Sequence, residues 1–430
     1  MSDTTDRIEA GPALSRDLAL ATWGLFVGLA MLMVAGGLLS TLLGLRAEIS
    51  GLPTAITGTI AASYYLGFIV GSRLTLRALG KVGHIRVYSA LAALLTAALL
   101  AIGLTDHWVP WMLLRFVTGV CFAGQYVVAE SWLNELGTNH NRGRLLGVYS
   151  LVVAGAFAAG QSMLFAFDGQ VVAGFAVAAI IASLAVIPVT LSEEAVAPRI
   201  GESEHMSMRD LAKIVPTGLL SCLLIGIAHG VLGGLPAVYA TRAGYPIALI
   251  GLFAAAPSIG GMLLQWPISA ASDDIDRRAV GLAAAIGALA IAVVLVLTPE
   301  GHWMAIVWFG VLGGLSYPLY SIAAAYTNDW VEPEHLNSAA STLVTLYGVG
   351  AVFGPIAAAT MMIVLGPVGF FWALFALHAL IAAFFLYRMI VWRAPLSKRP
   401  WDEVSFPARA FSVPATIVAG TRARRRTPKP

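Results

Sequence analysis

Arg115, Glu130 and His229 each stand within a long apolar run, and an ionisable group in such a setting needs either a partner or a function. Arg115 is followed by Gly119 and Gly124. A guanidinium there can hold an anion through paired N–H donors, or it can snorkel to an interface and cap helix carbonyls. His229 lies between Gly226 and Gly230. An imidazole changes charge near neutral pH, so it suits a transferred proton or an acidic group, while the blander reading is a neutral side chain bonded to a neighbouring helix. Glu130 falls 15 residues after Arg115, within reach of Arg73, Arg86, Arg142 or Arg144, and Asp273, Arg277 and Arg278 form a second charged group that can meet Asn328 and Asp329.

None of these groups belongs to a soluble catalytic arrangement. The chain carries no Gly-x-x-x-x-Gly-Lys-[Ser/Thr] phosphate loop, no His-Glu-x-x-His and no Gly-x-Ser-x-Gly, which argues against an enzyme and against ATP-driven pumping by this chain alone. Cys121 and Cys222 sit in apolar runs and read as small packing residues. No resident cofactor or metal is expected.

The elements that must position these side chains follow from composition. Of 430 residues, 58% are hydrophobic and 11% charged, against roughly 25% charge in soluble domains, and the mean hydropathy is +0.82. So little charge cannot coat soluble domains of this length. Apolar runs at roughly 18 to 45, 53 to 75, 84 to 105, 109 to 132, 144 to 167 and 170 to 191 are each long enough to cross a bilayer as a helix. Six more follow at roughly 214 to 241, 246 to 270, 279 to 298, 303 to 327, 337 to 364 and 367 to 391. Spanning strands are excluded, because those segments alternate in polarity over about 10 residues.

Positive charge tests this division. Twelve spans with an inside N-terminus leave Arg46 and Arg242 in outside loops and Arg115 within a span, while the other 23 of 26 basic residues face the cytoplasm. Both termini are therefore expected in the cytoplasm of a multi-pass protein of the plasma (inner) membrane. The expected organisation is a cytoplasmic segment 1–17, a six-helix bundle 18–191, a cytoplasmic linker 192–213, a second bundle 214–391 and a basic tail 392–430 read as disordered. The halves repeat: Gly67 and Gly261, Arg46 and Arg242, and Gly160-Gln161 and Gly354-Pro355 are separated by 194 to 196 residues. Six plus six spans with a cytoplasmic linker is the architecture in which two bundles rock about a central binding site.

At this point the chain resembles the major facilitator superfamily over about residues 15 to 392. The family's Gly-x-x-x-Asp-Arg-x-Gly-Arg-Arg loop is divided between two degraded copies. Lys81-Val82-Gly83-His84-Ile85-Arg86 keeps the basic and glycine positions, with Gly80 where the acid would stand. The second copy has Ser269 at the first glycine, Asp273 at the acid, Asp274 at the first basic position, Asp276 at the second glycine, and Arg277-Arg278. Glu130-Ser131-Trp132-Leu133-Asn134, Gln265-Trp266-Pro267 and Tyr317-Pro318-Leu319-Tyr320 narrow the likeness to the YcaD-like branch.

The resemblance implies a secondary transporter that works by alternating access, with Arg115 in the place associated with proton coupling and a proton as coupling ion. It implies an inner gate built from Arg73, Arg86, Glu130, Arg144, Asp273, Arg277, Arg278 and Asp329; Glu130→Ala should then abolish transport while leaving membrane expression intact. Its cavity-lining spans carry Tyr64, Tyr65, Gln125, Tyr126, Gln161, His229, Tyr317, Tyr320, Ser321 and Tyr347. Those groups suit a substrate of modest polarity, or an anion held by Arg115 or His229, better than a strong cation. Gly160, Gly350, Gly354 and Pro355 match the pattern of helices that pack closely or bend. The expected partners are a small-molecule substrate and the lipid bilayer, with no nucleic acid, and the expected state is a monomer. A membrane sensor or scaffold with the same fold is the competing reading.

Overall fold

The computed structural model describes residues 16–136, 142–167, 170–192, 206–332 and 335–391. Twelve helices are long and apolar enough to cross a membrane. Spans 1 to 6 are Thr22–Ile49, Thr54–Val82, His84–Leu104, Trp108–Leu133, Gly147–Phe167 and Val171–Thr190. Spans 7 to 12 are Pro216–Gly234, Ile247–Asp274, Arg277–Leu297, Met304–Asn328, Ser338–Leu365 and Gly369–Val391. Among the described residues there is no strand. Odd-numbered spans leave one face of the molecule, here called proximal, where span 1 begins and span 12 ends. They arrive at the opposite, distal face. Most of the expected N-terminal segment, the tail and most of the expected linker lie outside the described residues; Arg16 and Asp17 already belong to the first helix. The linker's last part forms a short helix, Met208–Ile214, whose N-cap Ser207 accepts from the Asp210 amide at 3.2 Å. The Ser207 hydroxyl, aided by Lys213, holds the Asp210 carboxyl below its ordinary range.

Helices in an apolar surround associate by close packing of small residues, and that packing shows the internal repeat directly. Gly160 of span 5 lies so near span 1 that a Cβ would overlap the Val34 carbonyl. Its counterpart, Gly354 of span 11, meets span 7 at Ile227 and Gly230, and Gly350 meets the Leu223 carbonyl. Pro355 rests its ring on Gly234 of span 7. These four residues are therefore placed at matching helix contacts, span 5 on span 1 and span 11 on span 7.

Two spans are interrupted at a proline. Span 7 stops at Gly234 and resumes as Pro236–Arg242, and span 10 is divided between Met304–Ser316 and Pro318–Asn328. The cause is local: proline has no N–H to continue the ladder and its ring crowds the carbonyl four residues back.

Contacts between the halves run from the distal face to mid-depth. Span 1 meets the distal end of span 7 through Gly44, Ala237 and Val238, span 2 meets span 11 at Gly58 and Ala359, and span 5 meets span 8 at Gln161 and Gly251. A charged clasp lies beside them. Arg242 Nε donates to Glu48 Oε2 at 2.7 Å and its Nη1 to Thr54 Oγ1 at 2.6 Å. Arg46, at the equivalent repeat position, stays within its own half. It donates to the carbonyls of Ile102, Gly103 and Thr105 and to Asp106 at 2.7 Å, and it lies over the Trp111 and Phe175 rings. On the same face Tyr245 donates to the His302 carbonyl at 2.7 Å, and burial pushes its hydroxyl pKa up to about 12.

Candidate functional site

Between the two halves lies one cavity with an empty volume of about 1090 Å³, space open to solvent included. Spans 1, 2, 4, 5, 7 and 11 line it, and aromatic side chains dominate its wall: Tyr64, Tyr65, Phe68, Phe122, Tyr126 and Tyr347. Arg115 is the only formally charged side chain among the described residues of this lining, and no Asp or Glu joins it.

Arg115 sits about 10 Å along span 4 from Trp108 at 1.5 Å per residue, and it is 9% exposed. Its guanidinium lies 4.7 Å from the centre of the Tyr64 ring, and its Nε has no hydrogen-bond partner. Among the described residues no carboxylate pairs with it. A desolvated cation–π contact supplies on the order of 2 kcal/mol, against a desolvation cost of several kcal/mol for a buried ion. Protein groups alone thus leave this cation under-compensated. It neither snorkels to the distal face nor caps a carbonyl, the alternatives open from sequence.

His229, on span 7, reaches the same cavity from the other half. Its Nε2 is 3.0 Å from the Ser316 carbonyl, in the interrupted part of span 10, and its Nδ1 is 3.0 Å from the Tyr347 hydroxyl. A carbonyl only accepts, so Nε2 carries the proton and Nδ1 accepts from Tyr347. The network continues outward. The Ser316 hydroxyl donates to His378 Nε2 at 2.9 Å, and His378 Nδ1 donates to the Leu374 carbonyl at 2.8 Å. His378, fully buried in span 12, had no role in the sequence reading. The signal available was the cost of a lone polar ring in an apolar helix, which demands a partner without naming one.

The remaining expected cavity residues are placed around the cavity rather than on it, except Tyr126, which lines it and donates from its hydroxyl to Met33 Sδ at 3.1 Å. Gln125 turns to span 3 and donates to the Tyr88 carbonyl at 3.0 Å. Gln161 is buried at the contact of span 5 with span 8. Tyr317 packs edge-on against His229 with ring centres 4.9 Å apart, Tyr320 packs likewise on Tyr347 at 4.9 Å, and Ser321 accepts from Gln265 at 2.7 Å. The two tyrosines support the cavity wall from behind, and Ser321 ties span 10 to span 8. Phe68, Phe122 and Phe157 line the cavity and were missed, because phenylalanine in an apolar run carries no signal of facing a cavity.

The ion pairs and hydrogen bonds described for the expected gate residues each lie within one half. Arg277 donates to Asp329 at 2.7 Å and to Asp273 at 3.1 Å, and Arg278 pairs with Asp276 at 2.8 Å, all within the second half. Glu130 accepts from Tyr149 at 3.4 Å within the first half. Arg73 and Arg86 are exposed, and the side chain of Arg144 lies outside the described residues. The described ion pair that bridges the halves, Glu48–Arg242, is on the distal face.

Residues 214–428 match the family model described as Major Facilitator Superfamily, and residues 43–197 match that described as Sugar (and other) transporter. The uncharacterized MFS-type transporter YcaD of Salmonella arizonae is 30% identical over 344 residues, which cover 79% of this chain and 88% of the relative; YcaD of Salmonella typhi matches to the same extent. Among solved structures, the nucleoside transporter NupG is 12% identical with a TM-score of 0.68, covering 87% of this chain and all of that one. A bacterial homologue of the human lysosomal transporter Spinster, inward-facing and occupied, is 14% identical with a TM-score of 0.71, covering 89% of this chain and 98% of that one. These two share the fold. Because the 344 matched residues exceed either half alone, the likeness runs through both bundles, and the chain belongs to the major facilitator superfamily, alongside its YcaD-type members, as a membrane transporter.

Proposed function

We propose that the protein is a proton-coupled secondary transporter that moves a small solute across the plasma (inner) membrane by alternating access, acting as a monomer. The observation that carries this reading is a cavity between two pseudo-symmetric bundles, with an uncompensated arginine from one half and a titratable histidine from the other on its wall. The positive-inside distribution supports a cytoplasmic proximal face and cytoplasmic termini. The distal contacts and the Glu48–Arg242 clasp then close the outer side, so the arrangement is the inward-open member of the cycle.

His229 is the proton carrier in this reading. On protonation at Nδ1 the Tyr347 hydroxyl turns from donor to acceptor, while the Nε2 bond to Ser316 stays intact. The Ser316–His378 link holds the ring in place during that exchange. The inner gate of the opposite state would bring Glu130 and its basic neighbours toward the second half. That closure falls to a conformation in which the distal clasp is broken.

The test is a pH jump on purified protein in liposomes with candidate solutes. Substrate-dependent proton movement that His229→Gln reduces by about a hundredfold or more is the expected outcome, the low end of what one lost acid–base group costs. No flux for any compound, with Arg115→Ala and His229→Ala both silent in cells, would favour a membrane sensor instead.

A further inference from the structure

We infer that the cavity binds an organic monoanion with a flat aromatic body, its carboxylate or equivalent oxygens on Arg115. This rests on the transporter reading and names its substrate class. Other buried arginines in the described residues already have oxygen partners: Arg46 with three carbonyls and Asp106, Arg277 with Asp329 and Asp273, Arg278 with Asp276, and Arg388 with Thr217. Arg115 has a ring on one side, an unpartnered Nε and the cavity in front. A guanidinium presents its N–H groups as a planar fork that fits a carboxylate.

The geometry also decides how many charges the ligand carries. His229, the other group the sequence offered to an anion, has Nε2 committed to a carbonyl and Nδ1 accepting a hydrogen bond. In that form it has no proton to offer an anion. While His229 is neutral, Arg115 is the one cation on the described lining and no Asp, Glu or Lys joins it, so a cation would meet repulsion and a dianion would bring a second charge into the cavity uncompensated. The body of the ligand faces Tyr64, Tyr65, Phe68, Phe122 and Tyr126, whose rings offer faces and edges but few hydrogen bonds. A planar apolar body matches that wall, and a polyhydroxylated one does not.

The experiment is direct binding to the full-length protein in nanodiscs by calorimetry, with benzoate, benzamide, benzylammonium, acetate and terephthalate as probes. Benzoate should bind at least tenfold more tightly than each of the others. Arg115→Gln should remove the preference for benzoate over benzamide, and Arg115→Lys, which keeps the charge without the fork, should retain part of it. Benzamide or benzylammonium binding as tightly as benzoate overturns the proposal. So does the absence of saturable benzoate binding up to about 1 mM, the upper end of usual substrate affinities, or an unchanged preference in a folded Arg115→Gln protein. Selective benzoate binding without benzoate flux would sink the transporter reading and leave the site. Flux of a cation without benzoate binding would do the reverse.

Discussion

Asp329→Ala should lower the stability of the detergent-solubilised protein by about 3–5 kcal/mol, the cost of leaving one member of a buried ion pair without its partner. Arg277 and Asp329 have side chains 1% and 0% exposed, and Asp329 takes both the Nε and an Nη2 hydrogen bond of the guanidinium. Asp273 stays within 3.1 Å of Arg277 but is 19% exposed, so it offsets only part of the loss. A thermal unfolding series, followed by cysteine-reactive dye or by size-exclusion recovery, would read the effect. Asp329→Asn should cost less, since an amide can still accept one hydrogen bond. A stability change under about 1 kcal/mol, the usual worth of an exposed pair, would mean that this cluster does not hold spans 8, 9 and 10 together. Because the pair lies within one half, the loss should appear as instability rather than as a changed balance of conformations.

Arg242→Ala should do the opposite: little loss of stability, and a shift of the protein toward a distally open form by about tenfold. The guanidinium joins Glu48 at 2.7 Å and Thr54 at 2.6 Å, and both belong to the other half. Glu48 is 11% and Arg242 28% exposed, so solvent weakens the pair and the low end of the range for charged hydrogen bonds, about 1.5 kcal/mol, is appropriate. That energy corresponds to about a tenfold change in an equilibrium between two states. Spin labels at Ser50→Cys and Glu300→Cys, on distal ends of opposite halves, would report the distance distribution; the two native cysteines are buried. Arg46→Ala is the matched control, because Arg46 spends its bonds inside one half. Equal distributions in wild type and Arg242→Ala, or an equal shift from Arg46→Ala, would remove the clasp.

The contrast between these two arginines shows where sequence reading stops. Their spacing of 196 residues marked them as repeat partners, yet the fold gives one to helix-end carbonyls and the other to the facing half. Likewise Arg277, Asp273 and Asp329 were legible as a charged cluster, while the sharing of Arg277 between both acids was not. Helical periodicity assigns faces only when one side meets water and the other a core. In a spanning helix the lipid side and the protein side are both apolar, so the position of Gln125 or Tyr347 around its helix leaves no trace in the pattern.

What the amino-acid order alone determined was set by transfer energies and charge placement: twelve spans, their internal repeat, and an arginine and a histidine stranded within them. What only the tertiary structure decided was the partner of each polar group. It left Arg115 without an acid and facing aromatic rings, tied His229 through Ser316 to His378, and put the charged clasp on the distal face. Those outcomes depend on contacts between residues far apart in the chain, where one helix's rotation settles which groups meet.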